Sequence, residues 1–239
     1  MSLDWSDYDG VLFDLDGVIT PTAEVHMRAW AAMFSQLLTD LGVAEPYTDQ
    51  DYFDHVDGKP RYDGVRAFLA SRGIELPEGS PEDPPTAQTV SGLGNRKDAV
   101  FAEELRTDGV EAYPGSVALL DALRERGVPM AIVSSSRNAP AVLEAAGVAD
   151  YFPVVMHGGV AAERGLAGKP APDTFWAAAD DLGVARDRAV VVEDATSGVA
   201  AGAAGGFPAV VGVDRGAGEQ ALREAGATLV VQDLAELLP

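Results

Sequence analysis

Two aspartates, Asp14 and Asp16, close the apolar run VLF and are followed at once by Gly17, which permits an abrupt change of chain direction. If VLF is a strand, both carboxylates can turn toward the carboxyl edge of a sheet, where open α/β folds bind their ligands. A second acid pair, Glu193 and Asp194, follows the equally apolar run AVVV. Clustered acids repel, and burial makes that worse, so convergence of the two pairs calls for a cation. Hard carboxylate oxygens suit Mg2+, which makes Asp14, Asp16, Glu193 and Asp194 the candidate metal residues. Ser134, just past PMAIV, offers a hydroxyl and nearby backbone amides to phosphate oxygens. Lys169, in GLAGKPAPDTF, offers a point charge able to bridge phosphate and an attacking carboxylate.

The chemistry that joins these groups is phosphoryl transfer. A carboxylate beside bound Mg2+ can attack phosphorus in line and split the transfer into two steps. Asp14 takes that role, the alternative being a metal ligand with no covalent part. Asp16 can serve as general acid in one step and base in the next, the alternative being a turn-forming acid. Mg2+, Lys169, Ser134 and local amides would stabilise the charge on the moving group.

The elements that must hold these residues are legible as alternation. The runs VLF, PMAIVS, FPVVM, AVVVED, PAVVGV and TLVVQ read as strands buried on both faces. Between them SVALLDALRERG, NAPAVLEAAG, APDTFWAAADDLG, SGVAAGAAGG and EQALREAG carry apolar positions three or four apart, and most stop at glycine. The fold class is therefore α/β, a Rossmann-like, mostly parallel sheet. About ninety residues between the first strand and Tyr113 show helical periodicity and no strand, an inserted all-helical cap. The expected division is a core of residues 1–20 and 108–239 and a cap of 21–107. The first cap helix is placed in TPTAEVHMRAWAAMFSQLLTDLG, with Thr20 capping, Pro21 first, and a stripe of Ala23, Met27, Trp30, Phe34, Leu37 and Leu41. GVRAFLASRG and KDAVFAEELRTDG supply two more, and the proline-rich IELPEGSPEDPPTAQ is a surface loop.

Composition narrows the function classes. The 239 residues contain no cysteine, which excludes disulfides, thiol nucleophiles and cysteine-ligated metal. A formal charge of −21 opposes nucleic acid and anionic membranes, and no basic patch reverses it. With no membrane-length apolar stretch and no leader-like start, the expectation is a soluble, cytoplasmic protein with no obligatory protein partner. Neither GLAGKP nor GLGNRK fits a nucleotide-binding loop.

Asp14-Leu15-Asp16-Gly17, Ser134, Lys169-Pro170 and Glu193-Asp194 together resemble the core pattern of the haloacid-dehalogenase-like (HAD) superfamily. Within it, the chain is most similar to the β-phosphoglucomutase-like branch, whose helical cap is inserted after the first strand. The resemblance implies Asp14 as nucleophile, Asp16 as acid/base with its backbone carbonyl on Mg2+, Ser134 and Lys169 on phosphate, and Glu193 and Asp194 at the metal. TAEVHMRAW resembles the first cap helix of sugar phosphomutases, which implies that His26 links cap closure to placement of the acid/base and that Thr22 is a polar hinge residue. DGKPRYDGV and GNRKDAV resemble cap segments that bind substrate, implying Arg61 on the distal phosphate and Lys97 on sugar hydroxyls. The SSSRN stretch resembles the mutase pattern, bringing Ser135 and Asn138 to the substrate. Pro21, at a position often acidic in this branch, and the acidic loop from Glu75 to Gln88 are departures that bear on specificity. The leading expectation is conversion of β-glucose 1-phosphate to glucose 6-phosphate through a bisphosphate, with glucose 1,6-bisphosphate as activator. Hydrolysis of a small phosphorylated sugar or metabolite, and phosphate binding without turnover, are the alternatives.

Overall fold

The computed structural model describes residues 3–239, Asp108 through its backbone alone. The chain divides into two compact units, one made of Met1–Pro21 and Val110–Pro239, the other of Thr22–Gly109.

In the first unit six strands form one sheet, β1 (Gly10–Phe13), β2 (Met130–Val133), β3 (Val154–Met156), β4 (Ala189–Glu193), β5 (Ala209–Val213) and β6 (Leu229–Val231), in the order β3-β2-β1-β4-β5-β6. Every pairing is parallel. The six apolar runs read from the sequence are these six strands. Every residue of β1, β2, β4 and β5 is buried, as strands covered on both faces must be, whereas the edge strands β3 and β6 are partly open. The strand order reverses beside β1, whose neighbours are β2 and β4, and a crevice at such a reversal is where doubly wound sheets bind ligands. Register matters here: Phe13 lies opposite Val192, so the residues that follow β1 and β4 emerge at the same level.

The helices of the insert are α1 (Thr22–Asp40), α2 (Asp49–His55), α3 (Arg61–Ser71) and α4 (Val90–Asp108). Those of the sheet unit are α5 (Pro114–Glu125), α6 (Ala139–Ala145), α7 (Gly158–Glu163), α8 (Asp173–Leu182), α9 (Thr196–Ala204) and α10 (Glu219–Ala225). Helices and strands share a core that includes Leu12, Val133, Phe175, Val191, Phe207 and Val210. The insert has its own core around Trp30, Phe34, Phe68 and Leu93, with Phe34 and Phe68 rings 3.9 Å apart.

Three local expectations need correction. α1 starts at Thr22, so Pro21 precedes the helix, and the Thr20 hydroxyl donates to the Leu15 carbonyl at 3.4 Å. Leu41 lies beyond the end of α1 and is 47% exposed; Met33 and Leu38 are buried in the stripe instead, because burial follows the wider seam against α2, α3 and α4. α4 begins at Val90, seven residues before the KDAV segment, with the Thr89 side chain accepting from the Gly92 amide. The acidic loop between α3 and α4 forms no helix or strand, yet Asn95 donates to the carbonyls of Pro81 and Asp83, Arg96 donates to that of Pro85, and Arg66 pairs with Glu78. No helix among the described residues is long and apolar enough to cross a membrane.

Candidate active site

The first carboxylate is placed by the ladder itself. The Asp14 amide donates to the Val192 carbonyl at 2.9 Å, continuing the β1 and β4 pairing one residue past β1. Gly17 then adopts φ +82°, a conformation costly for any residue with a Cβ, and its amide reaches the Thr20 carbonyl at 2.8 Å. The amides of Ile19 and Thr20 both return to Leu15, closing a tight loop around Asp16.

β4 supplies the second pair. Glu193 is its last residue and fully buried, and one carboxylate oxygen accepts from the Ala195 amide at 3.0 Å. A Cβ on Gly198, in the first turn of α9, would strike that carboxylate, so glycine is what lets the helix start so close. Asp14, Glu193 and Asp194, all buried, offer oxygens within 4.8 Å of one another. The two distant acid pairs therefore meet, although the carboxylate of Asp16 is not one of the three and instead accepts from the Ser134 hydroxyl at 3.4 Å.

Lys169 reaches this group from the loop before α8, next to a cis peptide bond to Pro170. Its ammonium lies 2.5 Å from an oxygen of Asp14, 2.5 Å from one of Glu193 and 2.8 Å from the Val133 carbonyl. Burial pushes Asp14 well above the ordinary carboxylate range; Lys169 opposes that, and Glu193 and Asp16 add to it. Burial alone would lower Lys169, but Asp14 and Glu193 outweigh it and hold the ammonium above its usual value. Three clustered buried carboxylates, two of them against a single ammonium, leave negative charge in excess, and that oxygen donor set fits a divalent cation such as Mg2+. A cation there would favour the ionised form of Asp14, opposing the upward push of burial.

Ser134 follows β2 directly. Its amide is held by the Met156 carbonyl at 2.9 Å and its hydroxyl accepts from the Ser136 amide at 3.1 Å, while the Ser136 hydroxyl accepts from the Asn138 amide at 3.1 Å. The result is a coiled polar turn, with Ser135 and Asn138 half-buried, at the same sheet edge as Asp14. Arg137 in this turn was not singled out by the sequence reading. It is exposed and, among the described residues, in no ion pair, unlike most arginines of this acidic chain. The only sequence signal was its place in SSSRN.

The insert's residues form a separate arrangement. His26 stacks on Phe101 with ring centroids 4.0 Å apart, and its Nδ1 meets the Lys97 ammonium. Lys97 is 4% exposed and lies over the rings of Trp30 and Phe101 at 5.3 and 4.7 Å. Arg61 pairs with Asp98 at 2.7 Å and covers the Tyr62 ring at 5.2 Å. Thr22 is buried at the first residue of α1.

A family model for haloacid dehalogenase-like hydrolases matches residues 8–206. The chain is 50% identical over 236 residues to a β-phosphoglucomutase of Mycobacterium bovis, covering 95% of this chain and 90% of that protein. It is 33% identical to hexitol phosphatase A of Escherichia coli over 82% of this chain and 79% of the other. A crystal structure of a hydrolase from Pseudomonas syringae superposes with a TM-score of 0.78 at 22% identity, over 96% of both chains. With the acids of two neighbouring strands around one lysine and the family model spanning most of its length, this chain belongs to the haloacid dehalogenase-like hydrolase family.

Proposed function

We propose that the chain is a Mg2+-dependent β-phosphoglucomutase, turning β-glucose 1-phosphate into glucose 6-phosphate through an aspartyl phosphate and glucose 1,6-bisphosphate. The observation that carries this is the half-identical mycobacterial β-phosphoglucomutase, aligned over nearly the whole of both chains.

Asp14, Glu193 and Asp194 would hold Mg2+, with the Asp16 backbone carbonyl as a further ligand. Bound there, Mg2+ supplies charge neutralisation for the phosphoryl oxygens and the nucleophile. In the first half of the cycle, the C6 hydroxyl of β-glucose 1-phosphate attacks phosphorus on phosphorylated Asp14. Asp16 takes the hydroxyl proton and the Asp14 carboxylate departs. The bisphosphate then turns over, and Asp14 attacks the C1 phosphate. The bond from phosphorus to the C1 oxygen breaks, and Asp16 returns the proton to that oxygen, giving glucose 6-phosphate and phosphorylated Asp14. Lys169 balances the charge that gathers between Asp14 and the phosphoryl group, a role its contact with Asp14 at 2.5 Å supports. The Ser134 hydroxyl and the amides of its turn bind phosphoryl oxygens.

The distal phosphate and the sugar are assigned to Ser135, Arg137 and Asn138 in the sheet unit and to Thr22, Arg61 and Lys97 in the insert. His26 is assigned to orienting the acid/base. Within the insert, the buried Lys97, set against His26 and two aromatic rings, and the pairing of Arg61 with Asp98 support functions beyond solubility, since burying a lysine is costly.

Hexitol phosphatase A supports a second reading, in which water accepts the phosphoryl group. Products separate the two. Given Mg2+, β-glucose 1-phosphate and a trace of glucose 1,6-bisphosphate, the mutase makes glucose 6-phosphate. Release of inorganic phosphate from every β-sugar phosphate offered, with no isomerised sugar, refutes the mutase.

A further inference from the structure

Arg215 stands outside every cluster described above. It lies two residues beyond β5, and its Nε donates to the Gly17 carbonyl at 2.8 Å while another guanidinium nitrogen donates to the Gln232 carbonyl at 3.0 Å. Its central carbon sits 4.1 Å from the centroid of the Tyr113 ring. Tyr113 in turn donates its amide to the Ile19 carbonyl at 2.9 Å, and the Ser116 hydroxyl donates to the Val18 carbonyl at 2.7 Å. Three consecutive carbonyls, those of Gly17, Val18 and Ile19, thus each receive a donor from elsewhere in the sheet unit.

Of the three, only the Gly17 carbonyl belongs to the residue next to Asp16. Gly17 sits at φ +82° and has no side chain with which to fix its own orientation. What restrains it is the hydrogen bond its amide donates to the Thr20 carbonyl on one side and the one its carbonyl accepts from Arg215 on the other. The planar fork of an arginine serves the two carbonyls from separate nitrogens while its face lies on the aromatic ring; a lysine here, with a single donor nitrogen, cannot reproduce that fork.

We propose that Arg215 is a positioning residue that holds the turn at Gly17 so that Asp16 presents its carboxyl group to the sugar oxygen. The proposal rests on the acid/base role assigned to Asp16 above. It takes no part in the transfer itself; its effect passes through Asp16 and not through Asp14, whose amide is fixed by β4.

The test is the dependence on the leaving group. Single-turnover phosphoryl transfer to Asp14 is measured from glucose 1,6-bisphosphate, whose departing sugar oxygen needs a proton, and from 4-nitrophenyl phosphate, whose phenolate leaves without one. General acid catalysis supplies roughly 10²- to 10⁴-fold, so partial loss of its alignment in Arg215→Ala should slow the sugar reaction about 10- to 100-fold. The aryl reaction should change by less than about threefold on the same reasoning. Arg215→Lys, which keeps the charge but only one donor nitrogen, should fall between wild type and Arg215→Ala, and it carries the comparison if the alanine variant fails to fold. Equal loss with both substrates, or no loss with either, overturns the proposal. A wild-type chain that yields free phosphate instead of glucose 6-phosphate overturns the mutase reading alone. Transfer to Asp14 is common to both activities, and the ratio of the two rates still decides the role of Arg215.

Discussion

Replacing Lys169 with methionine removes the one ammonium among three buried carboxylates while keeping most of the side-chain volume. The Lys169 side chain is 1% exposed and that of Glu193 0%, so no solvent replaces the lost contacts. Breaking a buried pair by removing one partner costs about 3–5 kcal/mol, since the other charge stays behind uncompensated. At about 2–4 °C per kcal/mol for a chain of this size, the midpoint of thermal unfolding should fall by about 6–20 °C without metal. Burial already raises Asp14 above its unfolded value. A raised carboxyl stabilises the fold below its unfolded titration and loses that contribution as pH climbs through the raised value. The deficit of Lys169→Met should therefore widen on going from acid to alkaline buffer. Mg2+ should restore stability, by about 2.7 kcal/mol at a hundredfold excess over its dissociation constant. It should do so more strongly than in wild type, because no ammonium competes for the carboxylates. The assay is calorimetry with and without Mg2+ at several pH values. A loss under about 1 kcal/mol, the scale of an exposed ion pair, or a Mg2+ response no larger than wild type, refutes the reasoning.

Asp14→Asn should keep stability within about 1 kcal/mol of wild type, because Lys169 retains Glu193 as a charged partner and the amide fills the same space, yet lower phosphoryl transfer at least about 10⁴-fold, as rapid-quench kinetics would show. Gly198→Ala puts a methyl group onto the Glu193 carboxylate; urea unfolding should record a loss of about 1–3 kcal/mol, together with weaker Mg2+ binding by calorimetry. Arg137→Ala should raise the concentration of glucose 1,6-bisphosphate needed for activation about tenfold, the scale of one charge-assisted hydrogen bond, and leave the rate with 4-nitrophenyl phosphate unchanged.

The sheet was legible because its inner strands are buried on both faces, which forces uninterrupted apolar runs that no amphipathic helix produces. The acids Asp14, Glu193 and Asp194 were legible for the same reason: a charge next to such a run must emerge at the sheet edge. The short helices were not. α2 depends on a capping box in which Asp51, not the longer glutamate, answers Thr48, and α7 spans six residues and is capped by His157. Neither has enough turns for a periodic stripe to show. Leu41 fitted the spacing of α1 and still falls outside it, because spacing does not reveal where a helix stops. Arg215 had no sequence signal at all, since it meets Gly17 across 198 residues of chain.

Each carboxylate of the proposed metal group comes from the sheet unit, where β1 and β4 fix it through the backbone, while residues 22–109 form a unit with a hydrophobic interior of its own. Such an arrangement separates two kinds of evolutionary change. Mutations in the insert away from His26 can drift, altering which molecule is accepted, while the metal-binding acids and the nucleophile stay fixed; a relative that shares the ladder but carries a different insert would keep the phosphoryl chemistry and change its preference.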